Sequence, residues 1–136
     1  MMDIRRLSDD FSVSPQIEIS DLQTIWDAGF RTIMCNRPDN EDAGQPLVGE
    51  IEAAAREIGF AFAHLPADSG RVAMPLATQT GRVLADLPKP VFAYCRSGTR
   101  CTVIWSLMMI SELEGHEILA AASAAGYDMS PLIAAD

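Results

Sequence analysis

The hexapeptide Cys95-Arg96-Ser97-Gly98-Thr99-Arg100 constrains this chain more than any other stretch. It follows the apolar run Val91-Phe92-Ala93-Tyr94 without a break and leads directly into the apolar stretch Cys101–Leu113. A strand ending in cysteine, a short glycine-containing turn and a helix start together build a cradle for an anion. Backbone N–H groups of such a turn converge on one point, and the helix N-terminus adds positive potential. The same field lowers the pKa of a thiol and holds it as thiolate. Cys95 therefore reads as a nucleophile, with Arg96, Ser97, Gly98, Thr99 and Arg100 as an anion-binding loop. The alternative for such a cysteine is a small core hydrophobe. A core position, however, has no use for two arginines and a glycine directly after it.

The flanking sequence sets this loop in an alternating pattern. Val48, Ile51, Ala54, Ala55 and Ile58 fall at helical spacing, and Gly59 supplies the stop. Ser20 and Gln23 predict a capping box for a helix over Asp21–Ala28, ended by Gly29. Further helices are expected over Pro75–Leu87, Thr102–Leu113 and Glu117–Ala125, the last two ended by Gly115 and Gly126. Ser130-Pro131 predicts a last helical turn. Short apolar strands are expected at Phe30–Cys35, Phe60–Leu65 and Val91–Tyr94, with less regular extended segments over residues 3–13. The alternation implies an α/β fold with a central, mostly parallel sheet and helices on both faces. Ligands of such sheets sit at the carboxyl ends of the strands. Cys35, Asp68 and Cys95 all fall at or just beyond a strand end, so the three could share one rim.

Composition narrows the partners. A chain of 136 residues with 49% hydrophobic content predicts one compact domain over residues 1–136. Its net charge of −9, without any basic run, makes nucleic acid and anionic membrane surfaces poor partners. A small anionic, thiol or persulfide substrate drawn to one local positive pocket remains compatible. No apolar run is long enough to span a membrane. No apolar stretch follows the charged start Met1–Arg6, so the expected location is cytoplasmic. The 3 cysteines offer no disulfide scaffold, and His64 and His116 stand at no metal-ligand spacing with them. Neither a metal nor a cofactor is expected.

Three further stretches carry a family resemblance. Gly29-Phe30-Arg31-Thr32-Ile33-Met34-Cys35-Asn36-Arg37-Pro38-Asp39-Asn40-Glu41 resembles the strand-and-loop signature of dual-specificity-type protein phosphatases. Ile58-Gly59-Phe60-Ala61-Phe62-Ala63-His64-Leu65-Pro66 resembles their next strand, and Pro88-Lys89-Pro90-Val91-Phe92-Ala93-Tyr94-Cys95 the approach to their catalytic loop. Together with the Cys-Arg-Ser-Gly-Thr-Arg loop, the chain resembles the phosphatase-like domain of beta-lactamase hydrolase-like proteins, the DUF442 group, over roughly residues 3–130. The resemblance implies a protein-tyrosine-phosphatase-like fold of the dual-specificity type. It also implies a nucleophilic cysteine, carried by Cys95, and an anion-binding arginine, carried by Arg100. The chain departs from phosphatases in one respect: four residues separate Cys95 from Arg100, one fewer than theirs. The shorter loop is similar to that of single-domain rhodaneses, which carry a persulfide sulfur.

Two chemistries follow. Phosphoryl transfer needs an in-line nucleophile, donors for the phosphoryl oxygens and an acid for the leaving oxygen. Asp68 is the best-placed acid; its alternative is a loop aspartate closing a turn with Ser69 and Gly70. Sulfur transfer needs no acid when the leaving group is an acidic sulfite or thiol. Arg96 points outward to attract an anionic donor, or pairs with a surface carboxylate. Cys101 either resolves an oxidised Cys95 as a disulfide or packs in the core. Ser97 and Thr99 bond the thiolate or an oxyanion, or close the turn, and Arg37 pairs with Glu41. The expected function is a cysteine-dependent phosphatase-like hydrolase. The alternatives are a rhodanese-like sulfurtransferase and a non-catalytic oxyanion-binding module.

Overall fold

A computed structural model describes residues 2–68 and 72–135. The strands are β1 (Arg5–Ser8), β2 (Phe11–Ser14), β3 (Thr32–Cys35), β4 (Ala61–His64) and β5 (Val91–Tyr94), in the sheet order β1-β2-β5-β3-β4. β5 runs parallel to β2 on one side and to β3 on the other, and β4 runs parallel to β3. β1 pairs antiparallel with β2 at the edge. The helices are α1 (Leu22–Asp27), α2 (Val48–Ile58), α3 (Met74–Ala85), α4 (Thr99–Met108) and α5 (Gly115–Ala124). The expected α/β architecture, mostly parallel with helices on both faces, is what forms.

Alternation along the strands divides the core into two layers. Val91 and Ala93 of β5 join Met34, Trp105 and Ile118 on the face covered by α3, α4 and α5. Phe92 and Tyr94 join Ile33, Cys35, Ile25 and Ile51 on the face covered by α1 and α2. Cys95 continues the alternation one step past Tyr94 and so falls on the α4 side. Cys35, in register with Tyr94, belongs to the opposite layer. Fully burying one large apolar side chain in either layer contributes about 1.5–3 kcal/mol, which anchors both ends of β5.

Several expected boundaries move. The capping box joins Glu18 and Asp21 rather than Ser20 and Gln23. A 3-10 turn over Ile19–Asp21 precedes α1, so the box closes on that turn, with the Glu18 N–H donating to Asp21 Oδ2 at 2.8 Å. α4 starts at Thr99, three residues before its expected start, because the loop is tight enough for Gly98 to serve as N-cap. Gly115 does not end α4; it begins α5, where Glu114 and Glu117 form a second capping box. Ser130-Pro131 lies in an isolated turn, with the Leu132 and Ile133 N–H groups both on Met129 O, rather than in a helix. Among the described residues no helix is long and apolar enough to cross a membrane.

Candidate active site

β5 ends at Tyr94 and the chain turns at once. The Cys95 N–H donates to Ser14 O of β2 (3.4 Å) and the Gln16 N–H to Arg96 O (3.3 Å), so the loop starts as an extension of the parallel ladder. The turn then requires a residue at positive φ, and Gly98 meets that at +90°. Both the Thr102 hydroxyl (2.8 Å) and the Thr102 N–H (3.0 Å) donate to Gly98 O, which fixes the helix start. On the exposed side, Ser97 Oγ donates to Thr99 Oγ1 at 2.9 Å. These two hydroxyls close the turn.

Cys95 Sγ is fully buried at the floor of the loop and accepts the Gly98 N–H at 3.1 Å. The adjoining Cys101 thiol does most to bring Cys95 down, to about 6 from the usual 9.0, against the opposing effect of burial. Backbone N–H groups of Cys101, Gly98 and Arg100 contribute in the same direction. Burial, and then the hydrogen bond with Cys95 and its charge, push Cys101 itself well above its ordinary range. Cys101 therefore stays protonated and serves as a donor to its neighbour. A resolving role would need its thiolate, which this environment disfavours.

Arg100 lies in the first turn of α4 and is buried. Nη1 donates to Glu41 Oε2 (2.7 Å) and to Ala67 O (2.7 Å), and Nη2 donates to Glu41 Oε1 (2.8 Å). The Nε–H and the second Nη2–H are left without a partner among the described residues. Those two N–H groups form a parallel fork on one edge of the guanidinium, suited to two oxygens of an anion. The Arg100 guanidinium, with Arg37 adding to it, holds the Glu41 carboxyl down at about 2.

The loop after β3 carries this carboxylate. Arg37 is buried and bonds Glu41 Oε1 (2.8 Å), Asp42 Oδ2 (2.6 Å) and Gln16 Oε1 (2.9 Å). Gln45 Oε1 accepts the Glu41 and Asp42 N–H groups, which stiffens the turn that presents both acids. Arg96 points outward, 66% exposed, and meets Asp42 Oδ2 at 3.2 Å. Three guanidinium groups thus face two carboxylates, leaving one net positive charge on the cluster, of which Arg100 is the member that interacts with Cys95.

Of the three side chains expected to share one rim, Cys95 lies in the loop beside Arg100, and Arg96 joins Arg37 on Asp42 at its outer side. Asp68 is exposed and directly follows Ala67, whose carbonyl Arg100 binds and whose N–H donates to Asn36 O (3.1 Å). Its expected turn partners Ser69 and Gly70 lie outside the described residues. Cys35 does not join the site. Its Sγ bonds the Arg37 backbone on the other face of the sheet, and burial raises its thiol. The Arg37–Glu41 pair forms as expected, but sequence reasoning missed that Glu41 also grips Arg100. Among the described residues there is no group of three or more His, Cys, Asp and Glu side chains that could hold a metal.

Comparison with known proteins bears on the family and the fold. A family model described as "Beta-lactamase hydrolase-like protein, phosphatase-like domain" matches residues 3–111. A beta-lactamase hydrolase-like protein of Agrobacterium fabrum is 28% identical over 102 residues, covering 75% of this chain and 24% of that protein. Its counterpart in Xylella fastidiosa is 26% identical over 130 residues, covering 94% of this chain and 30% of that one. The chain thus spans less than a third of the length of these relatives. The crystal structure of a candidate phosphatase from Neisseria meningitidis superposes with a TM-score of 0.85 at 31% identity, covering 96% of this chain and 94% of the other. A cysteine-to-serine variant of TpbA from P. aeruginosa, in complex with phosphotyrosine, gives a TM-score of 0.67 at 14% identity, covering 95% and 77%. That second likeness establishes a shared fold.

Proposed function

We propose, because this chain belongs to the phosphatase-like domain family of beta-lactamase hydrolase-like proteins, that it is a cysteine-dependent hydrolase of phosphate monoesters with Cys95 as nucleophile. The observation that carries the reading is the pairing, in one loop, of a thiol held at about 6 with an arginine whose open fork is pre-set by Glu41. At neutral pH most of Cys95 is thiolate, and Arg100 needs no reorganisation to receive an anion.

In the reaction so read, the Cys95 thiolate attacks phosphorus in line. The S–P bond forms as the P–O bond to the leaving group breaks, and the leaving oxygen takes the electron pair and a proton. Asp68 is the proposed source of that proton. Water then attacks phosphorus, the S–P bond breaks, and the thiolate returns with release of phosphate. Arg100 and the backbone N–H groups of the loop hold the phosphoryl oxygens, while Arg96 draws the anion to the mouth. Cys95 is fully buried, so the Arg100 fork receives the anion first and a local opening at Cys95 completes the approach. An aryl phosphate is the first substrate to try, since the P. aeruginosa relative of this fold holds phosphotyrosine.

The test is hydrolysis of 4-nitrophenyl phosphate by the wild type, Cys95→Ser and Arg100→Ala. Each variant should lose about 100-fold or more in kcat. Retention of the wild-type rate in both would overturn the reading.

One observation favours a second reading. The loop places four residues between Cys95 and Arg100, which shortens the cradle and suits a single sulfur atom. In rhodanese-like sulfur transfer, the Cys95 thiolate attacks the outer sulfur of thiosulfate. An S–S bond forms, the bond to the sulfonate sulfur breaks, and sulfite leaves with the electron pair. Intact mass after thiosulfate or glutathione persulfide decides between the two. One sulfur gained by the wild type and not by Cys95→Ser supports the carrier; no gain leaves phosphoester hydrolysis. Stabilisation by phosphate or sulfate without any turnover marks a non-catalytic oxyanion module.

A further inference from the structure

We propose that Tyr127 is a positioning residue, whose hydroxyl orients the Ser97–Gly98 peptide so that the Gly98 N–H points at Cys95 Sγ. The inference rests on the assignment of Cys95 as nucleophile. Tyr127 lies beyond residues 3–111, the part of the chain that the family model matches.

Tyr127 Oη donates to Ser97 O at 2.9 Å. The N–H of that same peptide, on Gly98, donates to Cys95 Sγ at 3.1 Å. A trans peptide is planar, and its C=O and N–H point in opposite directions. Fixing the carbonyl outward on Tyr127 therefore aims the N–H inward at the sulfur. The Gly98 backbone matches this arrangement: a Cβ there would sit 2.1 Å from Tyr127 Oη, so the hydroxyl occupies the space that a side chain at position 98 would need.

Tyr127 is itself held. Its N–H donates to Ala122 O at the end of α5 (2.9 Å), and the ring is buried. The Arg5 guanidinium of β1 lies 5.1 Å from the ring centroid, and Arg5 Nη1 donates to Ala125 O (3.3 Å). Asp3 pairs with Arg5 in turn. The path therefore runs from the edge strand through Arg5 and Tyr127 to the loop peptide and the sulfur. The titratable groups acting on it are Asp3 and Arg5 on the β1 side, Arg100 and Cys101 on α4, and Cys35 at the end of β3.

The test is the pH profile of iodoacetamide alkylation at Cys95, located by peptide mass, in the wild type and Tyr127→Phe. The substitution removes the hydroxyl and keeps the ring under Arg5. The wild-type midpoint should lie near 6. In Tyr127→Phe it should rise by about half to one pH unit, the loss of one neutral hydrogen bond to the peptide. Arg5→Gln, which loosens the ring and leaves the hydroxyl, should shift the midpoint the same way by less. Unchanged midpoints in both variants overturn the proposal. A wild-type midpoint near 9 removes the nucleophile assignment and this proposal with it. A midpoint near 6 that moves in Tyr127→Phe, in a protein that hydrolyses no phosphate ester, upholds the positioning role and removes only the hydrolase reading.

Discussion

Glu41 holds Arg100 end-on, with Oε2 on Nη1 at 2.7 Å and Oε1 on Nη2 at 2.8 Å. This grip leaves the side edge of the guanidinium open, so the arginine is both locked in orientation and still able to bind a second anion. It also decides what Glu41 cannot do. A carboxyl held down at about 2 carries no proton near neutral pH, so Glu41 is no general acid despite its place in the site.

Glu41→Gln should free Arg100 and Arg37 from their fixed partner. KM for an aryl phosphate should rise about tenfold while Cys95 stays reactive, and stability should fall by about 2 kcal/mol. The wild-type carboxyl is depressed on folding, so its contribution is complete above the usual 4.5 and is lost as pH falls through about 2. Thermal melts should therefore show wild type and variant converging between those limits. Melting curves that stay parallel across the range would rule out this role.

Cys101→Ala should raise the Cys95 midpoint from about 6, since the Cys101 thiol is the largest influence holding it down. Cys101→Ser keeps a donor and should restore most of the shift. Ultraviolet absorbance of the thiolate against pH reads it directly; an unmoved midpoint in Cys101→Ala refutes the donor role. The same depression means that Cys95 stabilises the fold fully above its ordinary 9.0 and loses that contribution as pH falls through about 6. The stability deficit of Cys95→Ser should grow from pH 6 to pH 9.

Asp68→Asn separates leaving groups. With 4-nitrophenyl phosphate, whose leaving oxygen needs little help, the rate should change only slightly. With phenyl phosphate it should fall about 100-fold. Equal effects on the two esters would take the acid role away from Asp68.

Gly98→Ala should be among the most damaging single changes. The backbone sits at φ +90°, and the new Cβ would meet Tyr127 Oη at 2.1 Å and the Ser14 carbonyl carbon at 3.5 Å. A loss of about 2–4 kcal/mol in chemical denaturation is expected. Adding Tyr127→Phe removes the hydroxyl clash and leaves the backbone strain, so recovery should be partial. Full recovery would show that φ at this position costs nothing.

Much of this molecule follows from local pattern. Two-residue alternation in Val91–Tyr94, a cysteine, a glycine at the turn and an apolar helix are enough to place Cys95 at a strand end beneath a helix start. The same alternation, taken one step further, puts Cys35 and Cys95 on opposite faces, although the common rim expected for them ignored that parity. Capping boxes and helix starts drifted by a few residues because 3-10 turns and alternative acids compete for the same N–H groups.

The sequence by itself determined the loop, with its cysteine and two arginines, because these are neighbours in the chain, and the alternation of strands and helices that predicts the layered fold, because periodicity is a local property. Only the tertiary structure decided how the loop is held. Glu41 reaches Arg100 across 59 positions and Tyr127 reaches Ser97 across 30. In the sequence Glu41 is one acid among several in a polar loop, and Tyr127 an aromatic after a helix stop. Neither position has a periodicity or a turn signal that names its partner, since that partner is chosen when α2 and α5 pack against the sheet and bring distant segments to the end of β5.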